Sequence, residues 1–163
     1  MSGFLGREPS GIRCLPFQLS GQYPQYVNEN LAASLPAAEA LLGLSLTTPT
    51  GRRLIYMPGV PSIEERWLER LEASDLLLFD GTFYTDDELI RIQGAARTAQ
   101  QMGHLPISGP DGSLQGLARL KGPRKIYIHI NNTNPILDEG SDQYRRVRDA
   151  GWEVAHDGME VDL

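Results

Sequence analysis

The chain is poor in the residue types that build several common kinds of site. Its 163 residues include one cysteine, Cys14, and three histidines, His104, His129 and His156. A single cysteine excludes an intrachain disulfide and any cysteine-rich zinc knuckle. It fits a reducing cytoplasm, where we expect the protein to work. With no histidine near it in sequence, Cys14 reads as a small buried hydrophobe rather than a nucleophile. No apolar run is long enough for a membrane span. The first eight residues, Met1-Ser2-Gly3-Phe4-Leu5-Gly6-Arg7-Glu8, lack the charge pattern and apolar stretch of a signal peptide. Positive charge is also short: Lys and Arg number 15 against 21 Asp and Glu, for a net charge of -6. A nucleic-acid partner therefore has no electrostatic support. The local basic clusters at Arg52-Arg53, residues 121–125 and residues 145–148 read as solvated surface. Walker, Gly-x-Gly-x-x-Gly, Gly-x-Ser-x-Gly and Cys-x-x-Cys motifs are all missing.

What is present suits one soluble domain of ordinary size, with 40% hydrophobic residues to form a core. Residues 1–11 are glycine-rich and expected to fray. Residues 12–19 read as a strand, and 24–35 as either loop or short helix. Residues 41–48 and 53–57 flank Pro49-Thr50-Gly51, and Leu44, Leu46, Leu54 and Tyr56 alternate with small or polar residues, which predicts a β-hairpin. Ser62 and Glu65 form a capping-box pattern ahead of the apolar stripe Ile63, Trp67, Leu68 and Leu71. Leu76-Leu77-Leu78-Phe79 has the continuous apolar character of a strand buried on both faces. Thr85 and Glu88 form a second capping-box pattern, for a helix expected to reach about Met102. A short helix is predicted within 110–120, a second buried strand over 125–130, and a helix capped by Ser141 and closed by Gly151. Residues 152–155 and 159–163 read as a terminal hairpin. The alternation gives an α/β layered fold with no internal repeat.

Three segments place an imidazole or a carboxylate where a hydrophobic run gives way to a loop. They are Asp80-Gly81-Thr82, Gly103-His104-Leu105-Pro106-Ile107-Ser108-Gly109 and His129-Ile130-Asn131-Asn132-Thr133-Asn134-Pro135. Ligands for metals sit in such places, because the strand is rigid and the loop is open. Each residue also has a purely structural reading. Asp80 can cap a turn through the Gly81 and Thr82 amides. His104 can answer a helix dipole, and His129 can be a core histidine with both ring nitrogens bonded. The amide-rich tail Asn131, Asn132 and Asn134 can orient an imidazole or bind a polar group of a substrate. Two imidazoles and one carboxylate, if they converge, suit zinc or iron(II), in the latter case as a facial triad. His156 reads as turn surface, and Asp138, Glu139 and Asp157 as solvated loop acids.

In this order, these segments resemble the C-terminal half of the pyrroloquinoline quinone (PQQ) biosynthesis protein B family, a branch of the metallo-β-lactamase-like superfamily. The likeness covers nearly the whole chain: residues 17–26, Tyr56-Met57-Pro58-Gly59, Phe79-Asp80-Gly81-Thr82-Phe83, Asp86-Asp87-Glu88 and residues 102–112, 129–137 and 151–159. The runs MGHLPISGPDG, HINNTNPILDE and GWEVAHDGME are long and specific. The resemblance implies an αββα sandwich, of which residues 1–163 supply a single domain: the C-terminal half, a mixed sheet with helices on one face. It implies that Asp80 and His129 bind a divalent metal and that His104 acts near the reacting group. The family's N-terminal half carries the first metal-binding cluster, and no histidine precedes His104 here. A truncated chain is therefore expected to form a homodimer or to associate with the missing half. The implied role is in making PQQ, as a metal-dependent oxygenase that hydroxylates the tyrosine ring of a glutamate–tyrosine precursor. The alternatives are a carrier of PQQ or its precursor, and a metallo-hydrolase.

Overall fold

The structure is a computed structural model that describes residues 10–20, 27, 29–36 and 40–163. Most of the glycine-rich start, and residues 21–26 of the stretch 17–26, lie outside the described residues. Six strands form one mixed sheet in chain order: β1 (Arg13–Ser20), β2 (Leu41–Thr47), β3 (Arg53–Met57), β4 (Leu76–Asp80), β5 (Arg124–Ile128) and β6 (Trp152–Val154). The first three strands are antiparallel, and β3 to β6 run parallel. The helices are α1 (Glu29–Ser34), α2 (Glu65–Glu72), α3 (Glu88–Gln93), α4 (Ser113–Gly116) and α5 (Asp142–Asp149).

The expected β2–β3 hairpin forms, closed by Gly51 N–H donating to the Thr48 carbonyl at 3.0 Å. The apolar run at 76–79 becomes β4, flanked by β3 and β5. Two registers build the helix-covered face. One is Met57, Phe79, Tyr127 and Val154; the other is Ile55, Leu77, Lys125 and Trp152. On them pack Trp67, Leu68 and Leu71 of α2, Leu117 at the end of α4, and Val147 of α5. The Tyr127 and Trp152 rings stack with centroids 4.0 Å apart, and the Tyr127 hydroxyl meets Ser113 Oγ at 2.8 Å. Burying an aromatic pair of this size contributes several kcal/mol.

Local sequence signals fail where long-range contacts claim the same residues. The Ser62–Glu65 box does not form: α2 starts at Glu65 with Glu64 as its N-cap. Ile63 packs against the core from outside the helix. The helix expected to reach Met102 ends at Gln93, where Gly94 turns left-handed at φ +66°. Only a 3₁₀ turn, Gln100–Met102, recovers helical geometry. Glu88 caps nothing at the helix start; its side chain turns inward and is 1% exposed. The second buried strand stops at Ile128, so His129 lies beyond it rather than on it. The terminal hairpin is absent. Trp152–Val154 pairs with β5, but 159–163 forms no strand, as its acidic residues Glu160 and Asp162 disfavour. The Ser141 cap holds, with Ser141 Oγ accepting from Tyr144 N–H at 3.0 Å.

The other face of the sheet is apolar as well. Leu44, Tyr56, Leu78 and Ile126 make one register across four strands, and Leu46, Leu54 and Leu76 make the next. None of them belongs to the core cluster. Those on β2 and β3 are partly exposed, and Leu42 beside them is 36% exposed. Leu76 and Ile126 are buried, so the exposed apolar surface is confined to the β2–β3 part of this face and Leu78. An exposed apolar patch of this kind suits association. The chain in isolation is expected to bind a hydrophobic dye and to associate in sedimentation velocity. Leu44→Lys should reduce both with unchanged far-UV circular dichroism. A clean monomer without dye binding would contradict an open apolar face.

Candidate metal centre

β4 and β5 are adjacent and parallel, and Asp80 sits opposite Ile128 in register. Both strands therefore deliver their loops to one carboxyl edge, where ligands of α/β sheets bind. Gly81 makes the crossing possible. A Cβ there would approach Tyr127 Cβ to 2.8 Å, while Gly81 N–H donates to the Ile128 carbonyl at 2.8 Å.

Asp80 is fully buried, and its carboxylate is held at four points. Oδ2 accepts from Val60 N–H at 2.9 Å and lies 2.8 Å from His104 Nδ1. Oδ1 accepts from Thr82 N–H at 3.1 Å and from the Thr82 hydroxyl at 2.5 Å. The same Thr82 Oγ1 lies 3.1 Å from His104 Nδ1 and 2.9 Å from His129 Nδ1. The two imidazoles are 5.2 Å apart between centroids, and Phe83 packs edge-on against His104. His104 reaches the cluster from the loop after the 3₁₀ turn, where Leu105 N–H donates to the Val60 carbonyl. His129 is the only non-glycine residue with positive φ among the described residues, at +54°.

One potential ligand atom from each of Asp80, His104 and His129 lies within 4.8 Å of the others. Two nitrogens and a carboxylate oxygen form a donor set suited to zinc or iron(II). The electrostatics fit a cation. Among the described residues, the ion-pair partners of Asp80 are the two imidazoles and no lysine or arginine. Burial works to raise the Asp80 pKa. Hydrogen bonds from His104 and then His129, with the His104 charge and Thr82, outweigh it and hold the carboxyl below its ordinary range. His129 moves the other way. Its hydrogen bond to Asp80 raises its pKa against the effect of burial, helped by the Asp80 charge and a hydrogen bond to the Pro58 backbone.

The structure thus brings together Asp80, His104 and His129, but leaves the asparagines in a different position. Asn134 is buried. Its Nδ2 donates to the Gly81 and Thr82 carbonyls, and its Oδ1 accepts from Ile136 N–H. Asn131 donates through Nδ2 to Thr133 Oγ1 at 2.6 Å, and Asn132 is exposed. His156 lies on the surface turn. Sequence reasoning missed Thr82, whose hydroxyl joins all three groups. Its position two residues after a strand-end carboxylate, the spacing of an Asx turn, was the available signal.

The family description Beta-lactamase superfamily domain matches residues 8–130. The chain belongs to the beta-lactamase superfamily. Within that superfamily it is 39% identical, over 154 residues, to the coenzyme PQQ synthesis protein B of Xanthomonas euvesicatoria pv. vesicatoria (strain 85-10). It is 40% identical over 154 residues to the protein of that name from Methylobacterium nodulans. Each match covers 94% of this chain and 51% of the relative, so the chain spans about half the length of the curated relatives it matches. A crystal structure of Zn(2+)-bound PqqB from Methylobacterium extorquens superposes with a TM-score of 0.83 and 36% identity, covering 94% of this chain and 51% of that one. The mixed sheet with helices on one face is the fold expected from the superfamily likeness.

The opposed shifts of Asp80 and His129 give a pH prediction. A raised imidazole pKa contributes stability that is full below the ordinary value of 6.5 and is lost as pH rises through the folded value. A lowered carboxyl pKa contributes stability that is full above 3.8 and is lost as pH falls through the folded value. The stability gap between wild type and His129→Ala is therefore expected to be largest near pH 5 and to close in mild alkali. Its pH-dependent part should stay below about 1 kcal/mol, because His129 is half exposed. Urea unfolding across that range measures the gap. A gap independent of pH would reject the pairing.

Proposed function

We propose that this chain supplies part of a metal centre used in the biosynthesis of PQQ, in a metal-dependent oxygenation of a tyrosine-derived precursor. The observation that carries the reading is the convergence of Asp80, His104 and His129 at one sheet edge. The zinc named in the related PqqB structure supports a divalent ion, and the two-imidazole, one-carboxylate set favours iron(II) for the working site. Asp80 and His129 would hold the ion, with His104 either completing the set or moving a proton beside it. A bound iron(II) supplies the oxygen and one-electron chemistry that side chains lack. The chain's own groups do the rest. Asp80 orients the His104 imidazole through the 2.8 Å contact. Thr82 sets the angle between the two rings. Asn131 and Asn134 fix the loop that carries His129, and exposed Asn132 is free to meet the substrate's polar groups.

A cavity next to the cluster supports a small-molecule substrate. A cavity of about 470 Å³ opens beside His129. Ile130, Ile136 and Val154 give it an apolar lining, and Glu139, Tyr144 and His156 give it polar groups. Its size is within the usual range for small-molecule sites. The same cavity favours a second reading, in which the protein carries PQQ or its precursor without reacting. We further propose that the apolar sheet face seats a second sheet, from the portion of the relatives' length that this chain does not span; a second copy of this chain is the alternative occupant.

Calorimetric titration of iron(II) under anaerobic conditions, and of zinc, into wild type and His129→Ala tests the reading. Wild type is expected to bind weakly, and the variant at least about tenfold more weakly, because a direct ligand is lost. Equal heats for the two proteins would reject His129 as a ligand and favour the carrier. Oxygen uptake with a tyrosine-containing peptide then separates an oxygenase from a hydrolase.

A further inference from the structure

His129 holds a positive-φ backbone that is uncommon for any residue with a side chain. The local geometry shows what that conformation achieves. Ile128 lies opposite Asp80, on the sheet face away from the helices. If the chain stayed extended, residue 129 would point to the helix-covered face instead. The positive φ breaks that alternation and brings the imidazole to Thr82 Oγ1 and Asp80. Backbone strain of this kind persists only where the surroundings over-determine it.

The surroundings in question are anchored on Glu88. This residue sits in the first turn of α3, remote in sequence from the loop that follows β5, and it is 1% exposed. No lysine or arginine pairs with it among the described residues. Both of its oxygens accept hydrogen bonds instead, Oε2 from Tyr84 N–H at 2.7 Å and Oε1 from the Thr133 hydroxyl at 2.6 Å. Each donor leads to one of the histidine loops. The Tyr84 carbonyl accepts from Ser108 N–H and Ser108 Oγ, four residues beyond His104. Thr133 Oγ1 accepts from Asn131 Nδ2, two residues beyond His129, and Asn131 N–H donates to the Thr82 carbonyl. A buried carboxylate without a cation is a poor choice for stability alone. As a clamp between two loops it has a purpose, because acceptors of this type make short, directional bonds.

We propose that Glu88 and Thr133 are positioning residues, which hold His129 in its left-handed conformation and so set the imidazole against Asp80 and His104. The conformational part of this proposal is independent of any metal; its effect on metal affinity rests on the function proposed above.

The test compares Thr133→Val, Thr133→Ser and Glu88→Gln in three measurements: thermal melting, zinc titration, and the nuclear Overhauser contact between the His104 and His129 rings. With ring centroids 5.2 Å apart, that contact is expected in wild type. Thr133→Val and Glu88→Gln should lose it and weaken zinc binding about tenfold or more, the usual effect of removing a partner behind a ligand. Thr133→Ser keeps the hydroxyl and should retain both. If Thr133→Val fails to fold, the isosteric Glu88→Gln carries the comparison. If the ring contact survives in Glu88→Gln and Thr133→Val while only the melting temperature falls, the clamp is merely structural and the proposal is overturned. Loss of the contact in Thr133→Ser overturns it too. If wild type binds no zinc but the ring contacts follow the expected pattern, the metal reading fails and the positioning role stands.

Discussion

The rest of the site is organised around a carboxylate with no access to water. Asp80 ends a strand whose other residues are all apolar, so its charge must be met by whatever the loops bring. Backbone amides meet part of that demand, from Val60 and Thr82. The remainder falls to the Thr82 hydroxyl and two imidazoles, which come from loops 24 and 49 residues further along the chain. Leaving such a group unpaired costs more than most single contacts in a protein can return. The loops after β4 and β5, and the one that carries His104, are therefore fixed in relation to one another by a single buried anion.

The sheet makes that arrangement possible. Parallel neighbours place their loops at one edge, and the Asp80–Ile128 register brings the start of the second loop within a residue of the carboxylate. A one-residue slip in this register would move Asp80 away from the β5 loop and put its side chain out of phase with the partner strand. The apolar core beneath the site, with the stacked Tyr127 and Trp152, holds the register. The core and the candidate site thus depend on the same strands, with the helix-covered face supplying rigidity and the loop edge carrying the Asp80 cluster.

Much of this was legible in the sequence where the signal was local. The apolar run before Asp80, the turn at Pro49-Thr50-Gly51 and the Ser141 cap each depend on neighbouring residues, and each formed. The signals that failed were local patterns overridden by distant partners. Glu88 looked like the closing residue of a capping box, but Tyr84 and Thr133 claim its carboxylate. Ser62 and Glu65 matched the same pattern, but the helix starts only at Glu65, with Ile63 packed against the core ahead of it. His129 was read as lying on a strand. Its left-handed backbone could not be read, because that conformation is favoured by glycine and is imposed here by contacts spread over some fifty residues of sequence. The asparagine tail shows its amides in the sequence but not their geometry: Asn134 spends both ends of its side chain on the backbone of the Asp80 loop and on Ile136. What the sequence could not contain is the convergence itself, which exists only once β4 and β5 pair.

The central claim is that Asp80, His104 and His129 form one cation site. Crystals of the protein equilibrated with zinc, measured on both sides of the zinc absorption edge, test it most directly. The account predicts an anomalous peak within bonding distance of Asp80 and of both imidazoles. A peak at His156 or in the acidic loops, with the Asp80 cluster empty and its hydrogen bonds unchanged, would contradict it.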